Sequence, residues 1–141
     1  MDEAQLTAIR EAAAQGHAGA QCGLGIMYEQ GQGVRQDYAM ACQWFEKAAT
    51  QGDTDAQCNL GNMYANGQGV RQDYAMACQW YEKAAAQGHA IAQLFLGNMY
   101  YNGHGVRQDY AMACQWYENA AAQGHAGAQC FLGVMYANGQ V

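Results

Sequence analysis

Six cysteines, four histidines and an aspartate that returns once per repeat are the residues best suited to chemistry in this chain. They could supply a thiolate nucleophile with a histidine base, a zinc centre, a disulfide framework or a carboxylate pair. Their spacing argues against each. The cysteines fall at two recurring positions, Cys22, Cys58 and Cys130, then Cys42, Cys78 and Cys114. Where the first series would continue, Leu94 stands instead. The site therefore takes a small or medium apolar side chain, as a buried free cysteine does. Reduced, packed thiols are favoured over disulfides, and neither CxxC nor a zinc-like ligand spacing occurs. His17, His89 and His125 occupy one recurring position before a helix, a whole repeat or more apart. Stacked helices lie on the order of 10 Å apart, too far for these histidines to share a zinc with bonds of ~2 Å. His104 sits alone in a glycine loop. Each histidine is expected as a solvated turn residue. Asp37, Asp73 and Asp109 recur singly and read as helix caps. The "GQGV" and "GHGV" loops follow no strand and lack a lysine at Walker spacing, so they read as turns. The expectation is a protein that is not an enzyme, with no cofactor and no metal.

Charge and composition narrow the partners. The chain has 141 residues, a formal charge of −6 and a pI of about 4.9. Six Lys and Arg spread along it make no basic stripe for phosphate backbones, so nucleic acid is not expected. No apolar run reaches the ~18–20 residues that cross a bilayer. The start, "MDEAQLTAIREAAAQG", has neither a basic n-region nor an apolar h-region. Its absence of a signal peptide favours the cytoplasm slightly, with a periplasmic or secreted protein open if a leader has been removed.

These residues are positioned by repetition. Gly16, Gly52, Gly88 and Gly124 are each 36 residues apart, and 28 of 36 positions are identical between the second and third copies. Such a period marks a solenoid or array. In the middle copy Ala56, Leu60, Met63 and Tyr64 fall on one helical face, followed by Gly67 and Gly69. Asp73 then opens a second amphipathic run through Tyr74, Ala77, Cys78, Tyr81, Ala84 and Ala85, which Gly88 ends. Each copy is a helix, a short glycine loop and a helix of ~13 residues, each ~20 Å long. One such pair cannot bury its own faces, whereas stacked pairs can. Gly61 and Ala77 allow close helix approach, and the Trp80 and Tyr81 ladder reads as packing. Residues 1–15 form an N-terminal capping helix with Asp2, Glu3, Arg10 and Glu11 as polar replacements. Residues 16–51, 52–87 and 88–123 are full repeats and 124–141 a half repeat. The helix count is put at seven.

The run "AQCNLGNMYANGQGVRQDYAMACQWYEKAAAQG" resembles the Sel-one-like repeat (SLR), a relative of the tetratricopeptide repeat. The likeness rests on Ala56, Leu60, Gly61, Tyr64, Gly67, Gly69, Val70, Asp73, Ala77, Trp80, Tyr81, Ala84, Ala85 and Gly88. It implies an all-α, right-handed superhelical solenoid of antiparallel helix pairs, with about 3.5 repeats and a concave inner face. It also implies a scaffold or adaptor for other proteins, often in bacterial or membrane-associated assemblies. Two departures stand out. The residue after "GV" is often proline in this family and is Arg35, Arg71 and Arg107 here. The cysteine-rich secreted subset carries disulfides at positions matching Ala49 and Gln57 and their copies, where this chain has no cysteine. Some cysteine-rich relatives are linked to β-lactam hydrolysis or binding. The serine nucleophile usual for that chemistry is excluded, because the chain contains no serine.

Variation among the copies points to a surface. One position reads Gly19, Asp55, Ile91 and Gly127, and the next Gly23, Asn59, Phe95 and Phe131. Then come Ile26, Asn62, Asn98 and Val134, and Gln30, Asn66, Asn102 and Asn138, on a single helical stripe. A neighbouring position reads Glu29, Ala65, Tyr101 and Ala137. A stripe that accepts such different volumes is not a tight core, and the family resemblance puts it in the concave groove. The expected partner is a peptide or protein segment. It would meet Asp55, Asn59, Asn62 and Asn66, then Ile91, Phe95, Asn98, Tyr101, Asn102, Phe131 and Val134. A designed or recently duplicated array without a dedicated ligand is the alternative reading, and a hydrolase of the cysteine-rich type a more distant one. Exposed Leu132, Met135 and Tyr136 on the last helix would open a further possibility, end-to-end self-association.

Overall fold

The computed structural model describes residues 2–141, and among them eight α-helices and no strand form. They are α1 (Glu3–Ala14), α2 (Ala18–Gln30), α3 (Tyr38–Thr50), α4 (Thr54–Asn66), α5 (Tyr74–Ala86), α6 (Ala90–Asn102), α7 (Tyr110–Ala122) and α8 (Ala126–Ala137). The expected count of seven was one short, since three pairs between a capping and a terminal helix make eight.

Local chemistry sets the ends. The Asp37, Asp73 and Asp109 carboxylates each accept from the backbone N–H three residues on, at 3.1 Å. That bond satisfies a donor the first turn would otherwise orphan. Asp2 and Gln5 form a reciprocal capping box on α1. Gly67 and Gly103 close α4 and α6 in the left-handed conformation, with φ of 66° and 69°.

The chain forms two compact units, one ending at Gln72 and the other beginning at Asp73. In the first, Ala13, Leu24 and Met27 make a core with Leu6, Ile9 and Trp44 against it. Phe45 lies fully buried over Gly25, where an added Cβ would stand 2.6 Å from the ring. In the second, Leu94, Ala113, Cys114, Tyr117, Ala120, Ala128 and Met135 form the core. Tyr117 covers Gly97 as Phe45 covers Gly25. The alternation of bulky ring and bare glycine lets the two backbones approach closely while the interior stays filled.

Polar groups link the helices inside each unit. Gln21, Gln57 and Gln93 are buried, and their amides donate at 3.1 Å to the Ala13, Ala49 and Ala85 carbonyls. The Gln21 and Gln93 oxygens also accept from Gln51 and Gln123, at 2.7 and 2.9 Å. The positions that carry a disulfide in the secreted subset are thus joined at Gln57 and Ala49 by an amide hydrogen bond. All six cysteines are free, five of them buried and Cys130 exposed. The Cys42 and Cys78 thiols donate to the Gln68 and His104 carbonyls at 3.2 Å, so each fastens a glycine loop.

His17 is exposed and makes no side-chain cap, as expected of a solvated turn, but the other three histidines depart from that expectation. The Nδ1 atoms of His89 and His125 accept from the Ala92 and Ala128 amides at 3.1 and 3.2 Å, capping α6 and α8. A ring nitrogen can do the work of an aspartate here because the first turn needs only an acceptor. His104 is not alone: its ring stacks on Tyr74 at 4.6 Å. No helix is long and apolar enough to cross a membrane among the described residues.

Candidate functional site

In the second unit, α6 and α8 carry the variable stripe, and Tyr117 of α7 rises between them. A cavity of about 400 Å³ opens there, lined by Asn98, Tyr101, Asn102, Tyr117, Cys130, Phe131, Val134 and Met135. Five of the residues chosen from internal variation meet at it: Asn98, Tyr101, Asn102, Phe131 and Val134. Ile91 and Phe95 do not line it. Ile91 is exposed, and Phe95 is half-buried with its ring 5.5 Å from Tyr81.

The lining has an apolar floor and a polar edge. Phe131 stacks on Tyr117 at 5.4 Å with the rings 14° apart, yet Phe131 and Val134 remain 43% and 47% exposed. The Tyr117 hydroxyl donates to Asn98 Oδ1 at 2.5 Å. Burial, with Tyr101 close by, pushes that phenol up to about 12, so it stays a donor across physiological pH. The Asn98 Nδ2 group and the Asn102 amide have no hydrogen-bond partner among the described residues. Two amide donors beside an exposed ring can meet peptide carbonyls. Tyr101 both donates to and accepts from the Gln140 side chain, which fixes its ring at the cavity wall.

Three lining residues were not among those chosen. Tyr117 repeats Tyr81 and was read as interior packing. Met135 was expected on an open face but is 1% exposed, because it belongs to the core of the second unit together with Tyr117. Cys130 belongs to a variable position, the one where Leu94 interrupts the cysteines, and that substitution was the signal that could have found it.

In the first unit, Asp55 and Asn66 are exposed and Asn59 and Asn62 half-buried. Asn59 hydrogen-bonds the Cys22 thiol, while Asp53, Asp55 and Glu29 set a negative field around it. Burial and that field push Cys22 up to about 12, the Asn59 bond pulling slightly the other way. Cys58 is likewise pushed to about 12, and Cys42 and Cys78 to about 11, burial being the largest cause for each. Thiols held protonated so far above neutrality are poor nucleophiles. No group of three His, Cys, Asp or Glu could hold a metal ion among the described residues.

The raised thiols have a consequence for stability. The native state keeps its protons where the unfolded chain, with thiols near 9, has lost them. Stability is therefore fully present below pH 9 and falls as pH rises toward 11–12. Urea unfolding at pH 8 and pH 10.5 should show a lower midpoint at the higher pH, and replacing Cys22 and Cys58 by alanine should flatten that dependence. A thiol reagent at pH 8 should meanwhile label one cysteine of the six quickly, Cys130.

Comparison with known proteins fits this arrangement. The Sel1 repeat model matches residues 18–53, 54–89, 90–125 and 126–141. A protective antigen of uropathogenic Escherichia coli strains displaying an SLR fold is 46% identical, with a TM-score of 0.91. That match covers 93% of this chain, which spans only 28% of the antigen's length. A Sel1 repeat protein from Oxalobacter formigenes is 41% identical over 91% of this chain and 96% of its own, with a TM-score of 0.82. Helicobacter pylori cysteine rich protein B is 28% identical with a TM-score of 0.71, over 88% of this chain and 94% of that one. No curated protein sequence matches. The repeat length, the helix pairs, the glycine-closed loops and these likenesses agree: the chain belongs to the Sel1 repeat family, whose α-solenoid fold generally serves as a scaffold for protein interactions.

Proposed function

We propose that this chain is an interaction scaffold that binds an extended peptide or protein segment on the variable side of α6 and α8. The observation that carries this reading is the 400 Å³ cavity, whose walls are built largely from positions at which the copies differ. An apolar side chain of the segment inserts between Phe131, Val134 and Tyr117. Asn98 and Asn102 then hydrogen-bond its backbone, and Ile91 and Phe95 extend the apolar contact along α6. In the first unit Asp55, Asn59, Asn62 and Asn66 offer a polar, partly acidic surface of the same kind.

Burying one large apolar side chain is worth ~1.5–3 kcal/mol, so removing the ring that receives it should weaken binding about tenfold or more. The test selects peptides from a displayed random library on the wild-type chain, then measures their affinity for Phe131→Ala and Phe95→Ala. Phe131→Ala should cost the most. Peptides that bind both variants as tightly as wild type would place recognition elsewhere, and a library that yields no binder would favour an array without a dedicated ligand.

A second association has its own support. On α6, Gln93 and Gly97 are buried under α7, while their counterparts Gln129 and Gly133 on α8 are exposed and Tyr136 is 61% exposed. We read this face as one that a second copy can cover. Light scattering over a concentration series checks it, with a monomer at every concentration as the contrary result.

A further inference from the structure

The first unit holds a cavity of about 590 Å³ bounded by α1, the end of α2 and the loop that leads into α3. Arg10 and Arg35 line it together with Tyr28, Asp37, Val34 and Met40. We propose that this cavity binds an oxyanion through the two guanidinium groups, and that its ligand is the carboxylate of an acidic peptide side chain. The site lies apart from the variable stripe and goes beyond the reading given above.

Three observations carry the proposal. First, the charge at position 10 is reversed. One, two and three periods on, the chain has Glu46, Glu82 and Glu118. The contrast is visible in the second unit, where burial and then the Glu82 carboxylate raise the Tyr100 hydroxyl, with Asp109 adding to the effect. Tyr100 is the counterpart of Tyr28, so the surroundings that are acidic at Tyr100 are dominated by two cations at Tyr28. Second, neither arginine makes an ion pair among the described residues, so both forks are open to a ligand. A guanidinium matches a carboxylate or phosphate through paired N–H donors, and such charge-assisted bonds are about twice as strong as neutral ones. Third, the Tyr28 hydroxyl has no partner among the described residues and adds a further donor.

The remaining walls select among anions. Val34 and Met40 give an apolar surface for the methylenes of an aspartate or glutamate side chain. Asp37 also lines the cavity, and its Oδ1 already accepts from the Met40 amide at 3.1 Å. Its negative charge leaves a net of one positive charge from the three ionised groups, enough for one carboxylate but unfavourable to a polyanion. The chain's overall charge of −6 acts the same way at long range.

The experiment follows the Arg side-chain Nε–Hε resonances by NMR while the full chain is titrated, in separate arms, with capped Gly-Glu-Gly, which carries a single carboxylate, and with inorganic phosphate. The Gly-Glu-Gly peptide should move the Arg10 and Arg35 signals to saturation. Arg10→Glu, which installs the residue of the other three copies, should weaken binding at least tenfold, and so should Arg35→Gln. Phosphate moving the same two signals as strongly would keep the oxyanion site and assign it to a free ion rather than a peptide. Glu82→Arg should create a matching response at Arg107, whose loop repeats that of Arg35. The proposal is overturned if neither probe moves the two signals, or if Arg10→Glu with an unchanged melting temperature binds as wild type does. A silent Arg107 in a folded Glu82→Arg chain would equally refute the charge-reversal argument.

Discussion

Tyr117→Ala should lower stability by ~3–5 kcal/mol, the range for deleting a large aromatic from a close-packed interior. Three contacts are lost together. The ring is 1% exposed, lies across Gly97 with no room for a Cβ between, and stacks on Phe131 at 5.4 Å. Nothing at Gly97 can expand into the hole, because glycine has no side chain to reorient. The hydroxyl's bond to Asn98 also disappears. Tyr117→Phe separates these effects. The first copy carries Phe45 at the same place, so the ring alone fits the fold. Its loss should be only ~0.5–1.5 kcal/mol, that of one hydrogen bond to a half-buried amide. Urea unfolding of both variants checks the pair. Similar costs for phenylalanine and alanine would mean that the hydroxyl, and not packing, secures this layer. Because Tyr117 also forms a wall of the 400 Å³ cavity, the alanine variant should lose peptide binding, while phenylalanine keeps its apolar part.

Gly105→Ala is expected to cost ~2–5 kcal/mol for a different reason. Gly105 has a φ of 74°, which disfavours an L side chain by ~1–2 kcal/mol. In addition its new Cβ would run into the Tyr74 carbonyl at the start of α5. The Cβ, fixed to its own backbone, would meet backbone atoms, so neither side can yield without moving the loop, and forced overpacking costs a further ~1–3 kcal/mol. The same loop carries the His104 carbonyl that accepts the Cys78 thiol and the His104 ring stacked on Tyr74. Gly88→Ala is the control. Its φ is 91°, but an added Cβ would meet nothing within 4 Å, so only the conformational part applies. Denaturant midpoints should place Gly105→Ala well below Gly88→Ala. Equal midpoints would show that the close approach to Tyr74 relaxes at no cost. Amide exchange across residues 103–109 should quicken in the first variant alone.

Much of the fold was legible because its determinants are local and written more than once. The aspartates at 37, 73 and 109 cap the helices they precede, and the glycines at 67 and 103 adopt the left-handed conformation expected of them. Part of the candidate site was legible for the opposite reason. Asn98, Tyr101, Asn102, Phe131 and Val134 stand where the copies disagree, and each is at least partly exposed. What stayed hidden were polar side chains in apolar company. Gln21, Gln57 and Gln93 look like solvent-facing residues in sequence, but each is buried between an alanine carbonyl and a neighbouring helix. The histidines at 89 and 125 gave no hint of serving as caps, since imidazole is an uncommon acceptor at that position.

The sequence by itself determined the period, the helix pairs, the turn glycines and the stripe on which the copies diverge. These depend on neighbours three or four residues apart, or on simple repetition. Only the tertiary structure decided that Tyr117 and Met135 wall the same cavity as Phe131, or that Arg10 shares another with Arg35. Those meetings join residues on different helices. A helical pattern says which face turns inward, but what that face meets depends on how the helices pack.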